Sequence, residues 1–135
     1  MTALNMYTIQ GRVLSIPIVN RLTFMRGESG IGKTASLKLT VDMHNKTSKI
    51  PMLYINEENS DLTRIIESES DRWCFVLDHW ETLCALNPRL PALVRECANH
   101  SFIIVGREKR GLPVKGMCEY SLYLSDTGAL CYSNN

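Results

Sequence analysis

Short apolar runs bounded by turn residues recur along the chain, with helix-like stretches between several of them. Strand-forming segments that alternate with helical ones are expected to build a mainly parallel sheet flanked by helices, an α/β fold. The pattern predicts five or six strands. Residues 7–9 and 12–16, separated by Gln10 and Gly11, read as an antiparallel hairpin at the sheet edge. Residues 22–25 read as a strand running directly into a glycine-rich loop. The first helix is expected from Lys33 to about His44, in spite of the β-branched Thr40 and Val41. Further strands are predicted at 51–56, 73–77 and 101–105, and a short helix at 61–69. The stretch from Glu81 to about Asn99 predicts a helix broken or restarted near Pro88 and Pro91, because proline fits a first turn but not a helix interior. The tail at 118–132 alternates as one or two strands meeting at Asp126, Thr127 and Gly128, a hairpin turn that would leave an antiparallel strand at the C-terminal edge.

Composition narrows the picture. A chain of 135 residues, 44% hydrophobic and 21% charged, suits a single domain over residues 1–135. With 15 Lys and Arg against 14 Asp and Glu, the formal net charge of +1 creates no long-range field to select nucleic acid or an anionic membrane. A nucleic-acid partner is therefore not indicated. The five cysteines have no CxxC pairing and an odd count, so they read as reduced thiols of a cytoplasmic protein. No apolar stretch approaches the roughly 20 residues needed to cross a bilayer, and Met1 to Met6 carry no basic start followed by an apolar run.

The chemistry concentrates in Gly27, Glu28, Ser29, Gly30, Ile31, Gly32, Lys33 and Thr34, which follow an apolar strand and precede a helical stretch. Glycines let the backbone turn tightly and approach an anion, so that successive N–H groups and the helix start, Ala35 included, point at phosphate oxygens. Lys33, expected to be exposed at the helix start, adds a mobile charge for the β- and γ-phosphates. The Thr34 hydroxyl is suited to the inner shell of Mg²⁺. This segment resembles the Walker A element of the P-loop NTPase superfamily. The resemblance implies an α/β sandwich with ATP and Mg²⁺ held at the carboxyl ends of the strands.

The apolar strand ending in Asp78 looks like a Walker B element, whose aspartate acts on the metal; the alternative is a turn or helix-capping aspartate. In the family pattern most often tied to hydrolysis a glutamate comes next, whereas here the next residue is His79. Glu81 is the candidate substitute, three residues beyond Asp78, and His79 is either a surface residue or one that positions water. Arg107, after the strand at 101–105, is a candidate sensor or charge-stabilising residue near the γ-phosphate, with a solvated loop arginine as the alternative; Arg110 is a weaker one. Glu57 and Glu58 read as loop-solvating acids, and Trp73 and Trp80 as packing residues.

Several nucleotide-using classes are set aside. A transporter-type ATPase would carry a Leu-Ser-Gly-Gly-Gln signature, and a GTPase an Asn-Lys-x-Asp motif, neither of which occurs. The chain most resembles a minimal AAA-like ATPase of the additional-strand type. With no glutamate after Asp78 and no lid, it is expected to turn over slowly alone and to rely on a homo-oligomer or protein partner, meeting it through the apolar tail at Leu130, Cys131 and Tyr132. A nucleotide-dependent binding module without significant hydrolysis and a small-molecule kinase remain as alternatives.

Overall fold

Segments apolar at successive positions become strands buried on both faces. In the computed structural model, which describes residues 3–28, 30–59, 61–68, 70–109, 111–113 and 115–134, these strands form the centre of a sheet. The elements in chain order are β1 (Ala3–Tyr7), β2 (Val13–Pro17), β3 (Leu22–Gly27), α1 (Lys33–Thr47), β4 (Met52–Ile55), α2 (Leu62–Ser68), β5 (Cys74–Leu77), α3 (Trp80–Leu86), α4 (Leu90–Glu96), β6 (Ser101–Gly106), β7 (Met117–Leu124) and β8 (Leu130–Asn134).

Six strands form one sheet in the order β4-β5-β6-β3-β7-β8, parallel except for β8, which runs antiparallel to β7. The period-2 alternation divides the core cleanly. Phe24, Phe75, Phe102 and Ile104 face one side and pack with Leu62, Trp80, Leu83 and Leu90 of α2, α3 and α4. Met25, Val76, Ile103 and Val105 face the other and pack with Leu37 and Val41 of α1. Full burial of each phenylalanine contributes about 1.5–3 kcal/mol. Because α1 leaves β3 over one face while α3 leaves β5 over the other, the carboxyl ends of β3, β6 and β5 open onto a crevice, the usual place for a ligand in an open α/β sheet.

The mixed α/β architecture agrees with the sequence pattern, and three details correct it. Eight strands occur among the described residues, each on a segment the pattern names, so the total of five or six falls short of those segments, which come to seven or eight. The N-terminal hairpin pairs Ala3–Tyr7 with Val13–Pro17, displaced from 7–9 and 12–16, and it is a separate two-stranded sheet rather than an edge of the large one. The reason lies in its burial: Leu4, Met6, Leu14 and Ile16 all point into the α1-side core, so the hairpin lies flat on that face. It is pinned by the Tyr7 N–H donating to Thr40 Oγ1 at 2.9 Å and by the Tyr132 hydroxyl donating to the Ser15 carbonyl at 2.7 Å. Thr40, unfavourable for a helix by propensity, is thus retained as a docking point. Helix α1 also continues to Thr47, one turn beyond the expected end.

The remaining expectations match closely. The helix restart falls between α3 and α4, with Pro91 in the first turn of α4. The terminal hairpin turns at Ser125, whose N–H donates to the Ala129 carbonyl at 2.8 Å. Among the described residues no helix is long and apolar enough to cross a membrane.

Candidate functional site

The loop between β3 and α1 takes its shape from two glycines. Gly32 has φ +84°, and a Cβ there would also lie 3.0 Å from Ile9 Cδ1 of the hairpin. At Gly27 a Cβ would lie 3.0 Å from Lys33 Cδ, so the lysine stem lies against bare backbone. Lys33 was expected to be exposed; it is 8% exposed, with Nζ donating to the Glu28 carbonyl at 3.1 Å. The long stem finds apolar cover while the ammonium stays inside the curve of the loop. Helix α1 begins at Lys33, with the Ser36 N–H already donating to the Gly32 carbonyl. The N–H groups of its first residues therefore have no partner within the helix. Ser29 and Arg110 lie outside the described residues.

Asp78 directly follows β5 and is fully buried. A buried carboxylate needs compensating donors. It has three: Thr34 Oγ1 at 2.8 Å and the Tyr54 hydroxyl at 2.6 Å, both on Oδ2, and the His79 N–H at 2.9 Å on Oδ1. Burial, then the hydrogen bond and the charge of Asp78, push the Tyr54 hydroxyl well above the ordinary tyrosine range. Tyr54 went unread in the sequence; the available signal was a tyrosine two positions before the polar end of its strand. A hydroxyl beside a carboxylate is a hard-oxygen donor pair, suited to Mg²⁺, which takes one or two protein oxygens and fills its shell with phosphate and water. No group of three His, Cys, Asp or Glu that would make a closed protein cage occurs among the described residues.

His79 is the non-glycine residue with positive φ among those described, at φ 56° and ψ 54°. A left-handed histidine costs on the order of 1 kcal/mol. Its Nδ1 lies 2.7 Å from Glu57 Oε2, and that hydrogen bond holds the Glu57 carboxyl below its ordinary range. Glu57, read from the sequence as a loop-solvating acid, therefore has a specific partner.

Glu81 lies in the first turn of α3 and lines a cavity together with Gly27 and Lys33. Its Oε1 accepts the backbone N–H groups of Arg107 and of Glu108, the latter at 2.8 Å. Partial burial would raise its carboxyl, but its own N–H, those of Glu108 and Arg107, and the Arg107 charge outweigh this and hold it below its ordinary range. Arg107 follows β6, and its carbonyl accepts Arg26 Nε at 2.9 Å. Trp80 is wholly buried and Trp73 stacks on Phe75, both as packing residues.

Two cavities meet at the loop. One of about 340 Å³ is bounded by Gly27, Lys33, Asp78, His79, Glu81 and Arg107, among others. A second of about 280 Å³ is bounded by Gly30, Gly32, Lys33, Thr34, Ala35 and His79. A third, of about 870 Å³, adjoins the first through Gly27 and Arg107 and reaches Glu28, Ile31, Leu122 and Tyr123. Volumes of this size admit a small molecule.

Most residues singled out in the sequence thus line one crevice at the carboxyl ends of β3, β5 and β6. Glu81 reaches it with one oxygen committed to the segment after β6.

No protein-family model and no curated protein matches the chain. Among solved structures, a chain of Drosophila ORC bound to DNA is similar in fold, with a TM-score of 0.53 and 15% identity. The match covers 78% of this chain and 39% of that one, so this chain spans well under half of its structural neighbour. What the likeness supports is the α/β fold class, a mostly parallel sheet with helices on it.

Proposed function

We propose that the chain is a Mg²⁺-dependent ATP-binding protein of the P-loop NTPase kind, and a slow or partner-activated ATPase. The observation that carries this reading is the 2.8 Å hydrogen bond from Thr34 to Asp78, which joins the first turn of α1 to the residue that follows β5. Strand β6 lies between β3 and β5, as an additional-strand arrangement requires. Thr34 and Asp78 are the residues that would hold Mg²⁺, which when bound neutralises phosphate charge. Lys33 would leave the Glu28 carbonyl for phosphate oxygens, and the N–H groups from Gly30 to Ala35 would surround them. Arg107, which borders the same cavity as Lys33 and Asp78, would offset charge on a transferred phosphoryl group.

A binding module with negligible turnover is the second reading, favoured by the commitment of Glu81 Oε1 to backbone N–H groups. Titration calorimetry with Mg-ATP, paired with a phosphate-release assay, tests both. Lys33→Met keeps the buried stem and removes the charge, so its dissociation constant for Mg-ATP should rise about 10- to 100-fold, the worth of a charged hydrogen bond. Equal affinity in the two proteins would overturn the phosphate-loop assignment. Specific activity that rises with protein concentration would assign the activating partner to a second copy, for which β8 provides a sheet edge.

A further inference from the structure

The crevice opens at the carboxyl ends of β3, β5 and β6, whereas a separate cavity of about 160 Å³ lies at their amino ends. Three segments that lead into these strands bound it: residues 18–21 before β3, Arg72 before β5 and residues 98–101 at the entry to β6. No Asp or Glu is among the described residues that bound it, and neither Arg21 nor Arg72 forms an ion pair with a described residue.

His100 gives the cavity its chemistry. Its side chain is 2% exposed, and its Nδ1 accepts the Trp73 N–H at 3.1 Å. With Nδ1 accepting, the ring's hydrogen sits on Nε2, which is therefore a donor. Among the described residues nothing accepts from it, although every fully enclosed side-chain nitrogen and oxygen there has a partner. Nε2 is thus not sealed in the core and opens onto the cavity that His100 bounds. An edge-to-face contact with Phe75, ring centroids 5.0 Å apart, fixes the ring. A rigid donor left without an acceptor points to an acceptor that arrives from outside.

The charges around it agree in sign. Arg21 spends its Nη groups on carbonyls at the end of α4, among them Val94 at 3.0 Å and Cys97 at 2.7 Å, so it contributes a fixed positive charge. Arg72 is exposed and has no hydrogen-bond partner among the described residues, which leaves its fork free to close on an anion. Asn20 adds an exposed amide. Donors from three separate segments suit a tetrahedral ion, which accepts from several directions, better than a flat carboxylate, which a single fork satisfies. The volume lies below the roughly 300 Å³ at which sites for larger ligands begin, so it admits a phosphate group and not a whole nucleotide.

We propose that this cavity binds a phosphate-type oxyanion through His100 Nε2 and Arg72, at the end of the sheet opposite the loop between β3 and α1. The test follows backbone amide shifts of the full chain by NMR as inorganic phosphate replaces chloride at constant ionic strength. The Arg72, Asn99, His100 and Ser101 amides should move with one dissociation constant. Lys33→Met should leave that constant within about twofold, because the two sites are distant, while any shifts at residues 30–35 weaken. Arg72→Ala should raise it about 10- to 100-fold, the loss of a charged hydrogen bond, with Mg-ATP affinity as in the wild type. His100→Asn keeps an acceptor for the Trp73 N–H and removes the donor at Nε2, so it should weaken phosphate binding similarly; should it not fold, Arg72→Ala decides, since Arg72 is exposed. Glycerol phosphate, titrated alongside, tells a free ion from a phosphate group carried on a larger molecule, and binding of either supports the site. Acetate bound as tightly as phosphate would overturn the tetrahedral assignment. Amides at 98–101 that do not move in phosphate, or that move equally in Arg72→Ala, would overturn the site itself.

Discussion

The Thr34 hydroxyl donates to Asp78 Oδ2 at 2.8 Å, so the first turn of α1 is tied to the end of β5 across 44 positions of sequence. The same oxygen accepts the Tyr54 hydroxyl at 2.6 Å. A carboxylate that is fully buried yet aimed at the crevice is satisfied from three sides before any ligand arrives.

Asp78→Asn separates metal from structure. One oxygen is replaced by a donor that faces two hydroxyls, so the fold should survive with about 2 kcal/mol less stability. If Asp78 acts on Mg²⁺, affinity for ATP should drop far more in Mg²⁺ than in EDTA, as read by calorimetry under both conditions. An equal drop would reduce Asp78 to a structural acceptor.

Tyr54→Phe should alter the response to alkali. Because the folded-state pKa of Tyr54 is raised above the ordinary value of 10.0, its contribution to stability is fully present below that value and is lost as pH climbs beyond it. Denaturant titrations should show wild-type stability declining above about pH 10, and the phenylalanine variant losing part of that slope. At neutral pH the variant should be less stable by about 1 kcal/mol, the net worth of one hydrogen bond. An unchanged alkaline slope would refute the coupling of Tyr54 to Asp78.

Glu81→Gln tests whether that side chain anchors the segment after β6. Its carboxyl is held below the ordinary value, so it stabilises the fold above the ordinary carboxyl range, and that contribution disappears as pH falls through the lowered pKa. The variant should show a shallower loss of stability on acidification. In Glu81→Ala, which removes the accepting oxygen that Gln keeps, hydrogen exchange should show faster opening of the Arg107 and Glu108 amides. Unaltered exchange at both would contradict the anchoring role and return Glu81 to candidacy as the residue that activates water.

What the sequence determined by itself is what neighbouring residues encode. Alternating apolar runs specified the parallel strands, Pro91 marked the helix restart, and the spacing from Gly27 to Thr34 specified the strand–loop–helix turn. Each of these depends on contacts a few residues apart and on backbone torsion preferences. Tertiary structure decided the rest. Whether Lys33 is exposed depends on Gly27 lying beneath its stem, and whether the hairpin joins the sheet edge depends on which core Leu4, Met6, Leu14 and Ile16 reach. The meeting of Thr34, Tyr54 and Asp78, and of Glu57 with His79, follows from β4, β5 and β3 being carried into one sheet, with β6 between β5 and β3. Polar groups brought together in that way have no periodicity to announce them, because their spacing is set by sheet order and register.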